Sequence, residues 1–192
     1  GDKLLKKEFD MHRAQGTPHP LMKTYELDLV PLQHEKMNEW RDSLGGGIQH
    51  FHTATNLLLT GGIDDVWVNK NGELSIVDYK ATAKSTEVNL DADWQIGYKR
   101  QMEIYQWLFR KNGFNVSNIG YFVYCNGKGD KEAFDGKLEF DVKIIPYHGN
   151  DNWVDQAILN VHSCLMSNEL PESSPNCDYC SYRNSAKEVE NN

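Results

Sequence analysis

Two aspartates and a lysine, Asp64, Asp78 and Lys80, carry the clearest chemical signal in this chain. They stand in the stretch GGIDDVWVNKNGELSIVDYK, Gly61 to Lys80, where strand-favouring Val, Ile, Trp and Tyr flank an Asn/Gly turn, the pattern of a β-hairpin. A loop of Lys70, Asn71 and Gly72, with Gly72 left-handed, sets the register. Val68 then faces Leu74, Val66 faces Ile76, Asp64 faces Asp78 and Gly62 faces Lys80. Directly opposed carboxylates cost roughly 0.2–1 kcal/mol in a sheet, so the pairing predicts a cation between their oxygens. Oxygen donors suit a hard ion, Mg²⁺ or Mn²⁺. Lys80 follows Asp78 on the same strand face, within reach of whatever that ion binds. Such a site suits phosphodiester hydrolysis: the ion polarises the phosphate and acidifies a water, and the lysine orients that water and offsets developing charge. Taken alone, the same residues are equally compatible with solvated strand-end charges. Asp65 has the opposite parity and reads as a supporting or structural residue.

These side chains need elements to hold them. Residues 3–14 place Leu4, Leu5, Phe9 and Arg13 at helical spacing. Residues 35–44 predict a short helix. Residues 48–59 read as one strand with Phe51, Thr53, Thr55, Leu57 and Leu59 on its core face. After a polar connector, Asp91 is the expected N-cap of a helix over 94–110, striped by Trp94, Tyr98, Met102, Tyr105 and Phe109 and stopped at Gly113. Residues 118–125 and 138–147 predict two more strands, and 153–165 a further amphipathic helix carrying Trp153, Ala157, Val161 and Leu165. Helices surrounding strands in this order make an α/β architecture. A single domain over residues 1–192 is expected, with its core over about 48–147 and a helix and tail over 151–192.

Composition narrows the function class. With 192 residues, 39% of them hydrophobic, five Trp, nine Tyr and seven Phe, the chain can bury a sizeable core and is not disordered. Its 20 Lys and Arg against 28 Asp and Glu give a net charge of -8. That balance excludes a protein that coats DNA with a basic surface, but not an enzyme touching a few phosphates through an ion and a handful of cations. Four cysteines, Cys125, Cys164, Cys177 and Cys180, are too few and too uneven for a disulfide scaffold and predict a reducing, cytoplasmic setting. No apolar run reaches membrane-spanning length, so no membrane partner is expected. The chain opens on Gly1 rather than Met, which reads as an expression scar or an excised fragment, so that elements can precede residue 1.

Gly62-Ile63-Asp64 in one strand followed by Asp78-Tyr79-Lys80 ending the next resembles the signature of the PD-(D/E)XK nuclease superfamily. Downstream, Gln101-Met102-Glu103-Ile104-Tyr105 is similar to the Q-x-x-x-Y helix motif of the RecB-type exonuclease branch, which includes the CRISPR-adaptation nucleases. Gln101 and Tyr105, four apart, share one helix face. The resemblance implies a restriction-endonuclease-like core, a central mixed β-sheet flanked by helices. It also implies Asp64, Asp78 and the Tyr79 carbonyl as ligands of a catalytic Mg²⁺ or Mn²⁺, Lys80 as the catalytic lysine, and Gln101 with Tyr105 as the site's wall. The implied substrate is DNA, single-stranded or with ends, and a helicase or recombination protein is a possible partner. Members of the family add a Glu or His from the first helix. Asp2, Glu8 and His12 lie on or at the start of that helix here, and none stands in the expected setting. Some RecB-type nucleases hold an iron–sulfur cluster through four cysteines. Cys177 and Cys180 form only half of such a set, so neither a cluster nor a zinc site is expected. Lys84, Lys99 and Arg100 are candidate groove cations, and Trp94, Tyr98 and Trp107 candidate base-stacking aromatics. A rival expectation is a nuclease-fold module that binds DNA or a repair partner without cutting.

Overall fold

The computed structural model describes residues 2–92, 95–133 and 135–190. The chain falls into two compact units, Gly1–Val154 and Asp155–Asn192. In the first, a five-stranded sheet has the order β1 (Val30–Pro31), β4 (Asp65–Val68), β5 (Leu74–Thr82), β6 (Ile119–Gly127) and β7 (Phe140–His148). All neighbours are antiparallel except β5 and β6, which run parallel. A parallel pair needs a crossover, and helix α4 (Ile96–Lys111) lies between β5 and β6 in sequence and packs on β5. The fold is the mixed α/β, restriction-endonuclease-like architecture expected, a central mixed sheet with helices about it. Each edge strand contains a proline: Pro31 in β1, paired with Trp67, and Pro146 in β7, paired with Tyr121.

The sheet is buried on both faces, and the helices divide them. Helix α1 (Asp2–Gln15) inserts Leu5 and Phe9 into a core with Trp67, Val77, Tyr79, Tyr121, Val123 and Cys125. These are the odd-numbered positions of β4, β5 and β6, so α1 covers that face. The even-numbered face, with Asp78 and Lys80, meets α4, where Gly120 lies against Met102 so closely that an added Cβ would stand 2.5 Å from its sulfur. Two smaller helices, α2 (Pro20–Thr24) and α3 (Met37–Arg41), come from the region before the hairpin.

The hairpin has the predicted register. Asp65 pairs with Val77, Val66 with Ile76 and Val68 with Leu74, and Gly72 is left-handed at φ 78°. The expected single strand over 48–59 is instead a second hairpin, β2 (Ile48–His52) and β3 (Leu57–Gly61). Asn56 in the left-handed region (φ 57°) reverses the chain there, and Phe51, expected in the core, is half exposed. The N-cap of α4 is Gln95 rather than Asp91, and Trp94 of the expected stripe lies outside the described residues. From residue 155 on, the second unit holds most of α5 (Val154–Met166) and all of α6 (Asp178–Glu190), a helix within the segment expected as tail. Among the described residues no helix is long and apolar enough to cross a membrane.

Candidate active site

The hairpin register puts Asp64 beyond the last β4 pair, opposite Asp78 on β5. The Asp64 carboxylate turns back over the strand: Oδ2 accepts the Tyr79 amide at 2.8 Å and Oδ1 meets the Lys6 ammonium at 2.7 Å. Asp78 is almost wholly buried, 5% exposed, with the Lys80 ammonium 2.6 Å from its Oδ2. The ammonium therefore engages Oδ2 directly, a charge-assisted contact inside the buried site. Burial pushes the Asp78 carboxyl up to about 6; Lys80 opposes the shift and the nearby Asp64 charge adds to it.

Helix α4 closes the site from the other side. Lys80 Nζ reaches Gln101 Oε1 at 3.4 Å, and Gln101 Nε2 donates to the Tyr105 hydroxyl at 2.9 Å. Tyr105 donates in turn to the Gly62 carbonyl at 2.9 Å, two residues before Asp64. Asp78, Lys80, Gln101, Tyr105 and the Gly62–Asp64 segment thus form one linked ring across two strands and a helix. Gly61 permits the approach, since an added Cβ would stand 2.7 Å from Tyr105 Cε1. The Lys80 ammonium also sits 4.1 Å from the Tyr98 ring centroid, a cation–π contact that fixes it further.

Asp65, one residue from Asp64, faces the other way into a buried ionic cluster. It is fully buried and accepts from Arg13, from Tyr79 Oη at 2.9 Å and from its neighbour's amide at 2.8 Å, with Arg41 Nη2 at 3.4 Å. Arg41 also donates from Nε to the Asp64 carbonyl at 2.9 Å and pairs with Asp10. The cluster therefore clamps the backbone that carries Asp64.

The first helix contributes a residue that sequence reasoning missed. Among its earlier candidates, Glu8 lies 3.8 Å from His19 and His12 meets Thr17 at 3.0 Å, while the side chain of Asp2 is outside those described. Lys6 is the α1 residue at Asp64. Of the candidate stacking residues, Trp107 is buried against His50 and cannot present a face to a base, whereas Tyr98 stands at the site. Beyond the C-terminal ends of β5 and β6 opens a cleft of about 670 Å³ lined by Tyr124, Asn126, Lys84, Lys128, Lys131 and Lys143. Lys128 and Lys143 are there paired with Asp141 and Glu87. All four cysteines are free thiols; Cys125 is buried in the sheet, and Cys177 Sγ accepts the Cys180 amide at 3.4 Å. The model of the PD-(D/E)XK nuclease superfamily matches residues 2–185.

The chain belongs to that superfamily. No curated protein matches it. Nucleases of this superfamily generally use divalent metals, and the residues present fit such an ion. Asp64 and Asp78, two carboxylates brought close enough for the charge of one to raise the other, are an oxygen donor set for a hard cation. Among the described residues no cluster of three or more His, Cys, Asp or Glu side chains forms a complete cage.

Proposed function

We propose that this nuclease is a metal-dependent deoxyribonuclease of RecB-like type, hydrolysing phosphodiester bonds as an exonuclease on single-stranded or end-bearing DNA. The observation that carries the reading is the linked ring: Asp78, Lys80, Gln101 and Tyr105 occupy one corner with Asp64 beside them. Asp64 and Asp78, helped by the Tyr79 carbonyl, would hold Mg²⁺ or Mn²⁺, which would supply Lewis acidity to the phosphate and acidify the attacking water. Lys80 acts from a fixed position. Held by Asp78, Gln101 and the Tyr98 ring, its ammonium offsets charge on the phosphorane-like transition state and orients the water through a donated proton. Gln101 holds Lys80 by its carbonyl and Tyr105 by its amide, so the wall keeps the ammonium aimed without taking its charge. The acidic chain, at net charge -8, supplies no broad basic surface, which supports dependence on a helicase or recombination partner for DNA affinity. Four free thiols support a reducing, cytoplasmic setting.

The test is degradation of linear and circular single-stranded DNA with Mg²⁺ or Mn²⁺. Linear DNA should be degraded and circular DNA spared, and Lys80→Ala should lose about 10²-fold or more in rate, the scale of one electrostatic stabiliser. A wild type that binds DNA without cutting it would establish the non-cutting module instead, and activity untouched by Lys80→Ala would remove the catalytic role of that residue.

A further inference from the structure

We propose that Lys6 is an exchangeable counter-ion of the site: in the metal-free protein its ammonium neutralises Asp64, and in the loaded site it leaves that carboxylate to hold a phosphate oxygen of the bound strand. This rests on the metal-dependent reading above. Three features of the site lead to it.

The first is which atom Lys6 holds. Asp64 has two oxygens, and Oδ2 is committed to the Tyr79 amide, a backbone group of the central strand. Oδ1 is the oxygen that an entering cation can share, and it is the one Lys6 contacts at 2.7 Å. An ion at Asp64 and the Lys6 ammonium therefore compete for one atom. The second is charge. Lys6 and Lys80 offset Asp64 and Asp78; a divalent ion leaves an excess of two positive charges, of which each phosphodiester of a bound strand offsets one.

The third is mobility. Leu5 and Phe9 bury the core side of α1 and fix its rotation, while the Lys6 side chain remains 29% exposed on a flexible four-carbon stem, against 18% for Lys80. Its ammonium already lies 5.8 Å from the Tyr79 ring centroid, a second resting place that does not use Asp64. Lys80 is held by three partners, Asp78, Gln101 and the Tyr98 ring. The two lysines divide the work: Lys80 stays, Lys6 moves.

The experiment is calorimetric titration of Mn²⁺ into the full chain, with Lys7→Met on the exposed side of the same helix as the control for charge alone. Lys6→Met should bind Mn²⁺ roughly fivefold tighter than wild type, with Lys7→Met within about twofold. With Mn²⁺ present, Lys6→Met should bind a phosphorothioate single strand roughly fivefold more weakly, and Lys6→Arg should recover most of that loss. Lys6→Gln serves in place of Lys6→Met if the latter does not melt cooperatively. Equal or weaker Mn²⁺ affinity in the Lys6 variant overturns the exchange while leaving the metal site standing. Absence of Mn²⁺ binding to the wild type removes the metal site and the exchange together.

Discussion

Neighbouring side chains in this nuclease have opposite duties, and substitution should separate them. Asp65 is sealed among Arg13, Arg41 and Tyr79, and deleting one member of a buried ionic cluster strands the others; Asp65→Ala should cost about 3–5 kcal/mol in urea unfolding. Asp64 is partly exposed, and Asp64→Ala should cost less than about 1 kcal/mol while abolishing cleavage. Asp78 adds a pH signature. Its carboxyl titrates near 6 in the folded chain against an ordinary 3.8, so between these values the native state binds the extra proton. Stability from this group therefore falls as pH rises through that window and stays lower above it. Asp78→Asn, which removes the charge, should stabilise the metal-free protein by about 1–2 kcal/mol at pH 8, the advantage vanishing near pH 4. Urea unfolding across pH checks the sign; an advantage that grows on acidification would contradict it.

At the scale of elements, the central hairpin was legible because two local rules agreed. Alternation named the strands, and Gly72 named the turn, which together placed Asp64 opposite Asp78. The pair Gln101 and Tyr105 was legible because helical spacing puts i and i+4 on one face. What stayed hidden was tertiary. Lys6 is one of three lysines in KLLKKEF that local spacing does not tell apart, and its partner is 58 residues away. The hairpin of β2 and β3 was concealed because Thr53 and Thr55 kept the strand parity while Asn56 made the reversal. Helix α6 buries none of its described residues, and its spaced apolar residues Tyr179, Tyr182 and Val189 stay exposed. Two glycines of the hairpin region, Gly61 and Gly72, make a matched test. Gly72→Val should cost about 1–2 kcal/mol from left-handed strain with activity intact, since the turn is at the far end. Gly61→Val drives a side chain into Tyr105 and should lose about tenfold or more in rate with a similar stability loss. Equal rates for both would mean that the contact between β3 and α4 is irrelevant to cleavage.

For the whole molecule, an acidic chain with a few site cations should meet DNA through few phosphates. If Lys6, Lys80 and the ion account for the contact, the slope of log affinity against log salt for a single strand should be about −2. A slope steeper than about −5 would reveal a broad basic footprint that the net charge of -8 does not suggest. The sheet's borders carry a last consequence. An open sheet displays unpaired amides and carbonyls at both edges, a template on which other chains can add strands. Here β1 is only two residues long and ends in Pro31, and the nine-residue β7 is interrupted by Pro146 and carries charged Asp141 and Lys143. Each proline removes one main-chain donor from its border. The same sheet that needs a fixed register to oppose two carboxylates is thereby guarded against fibril-like growth, and can be crowded without recruiting its own copies.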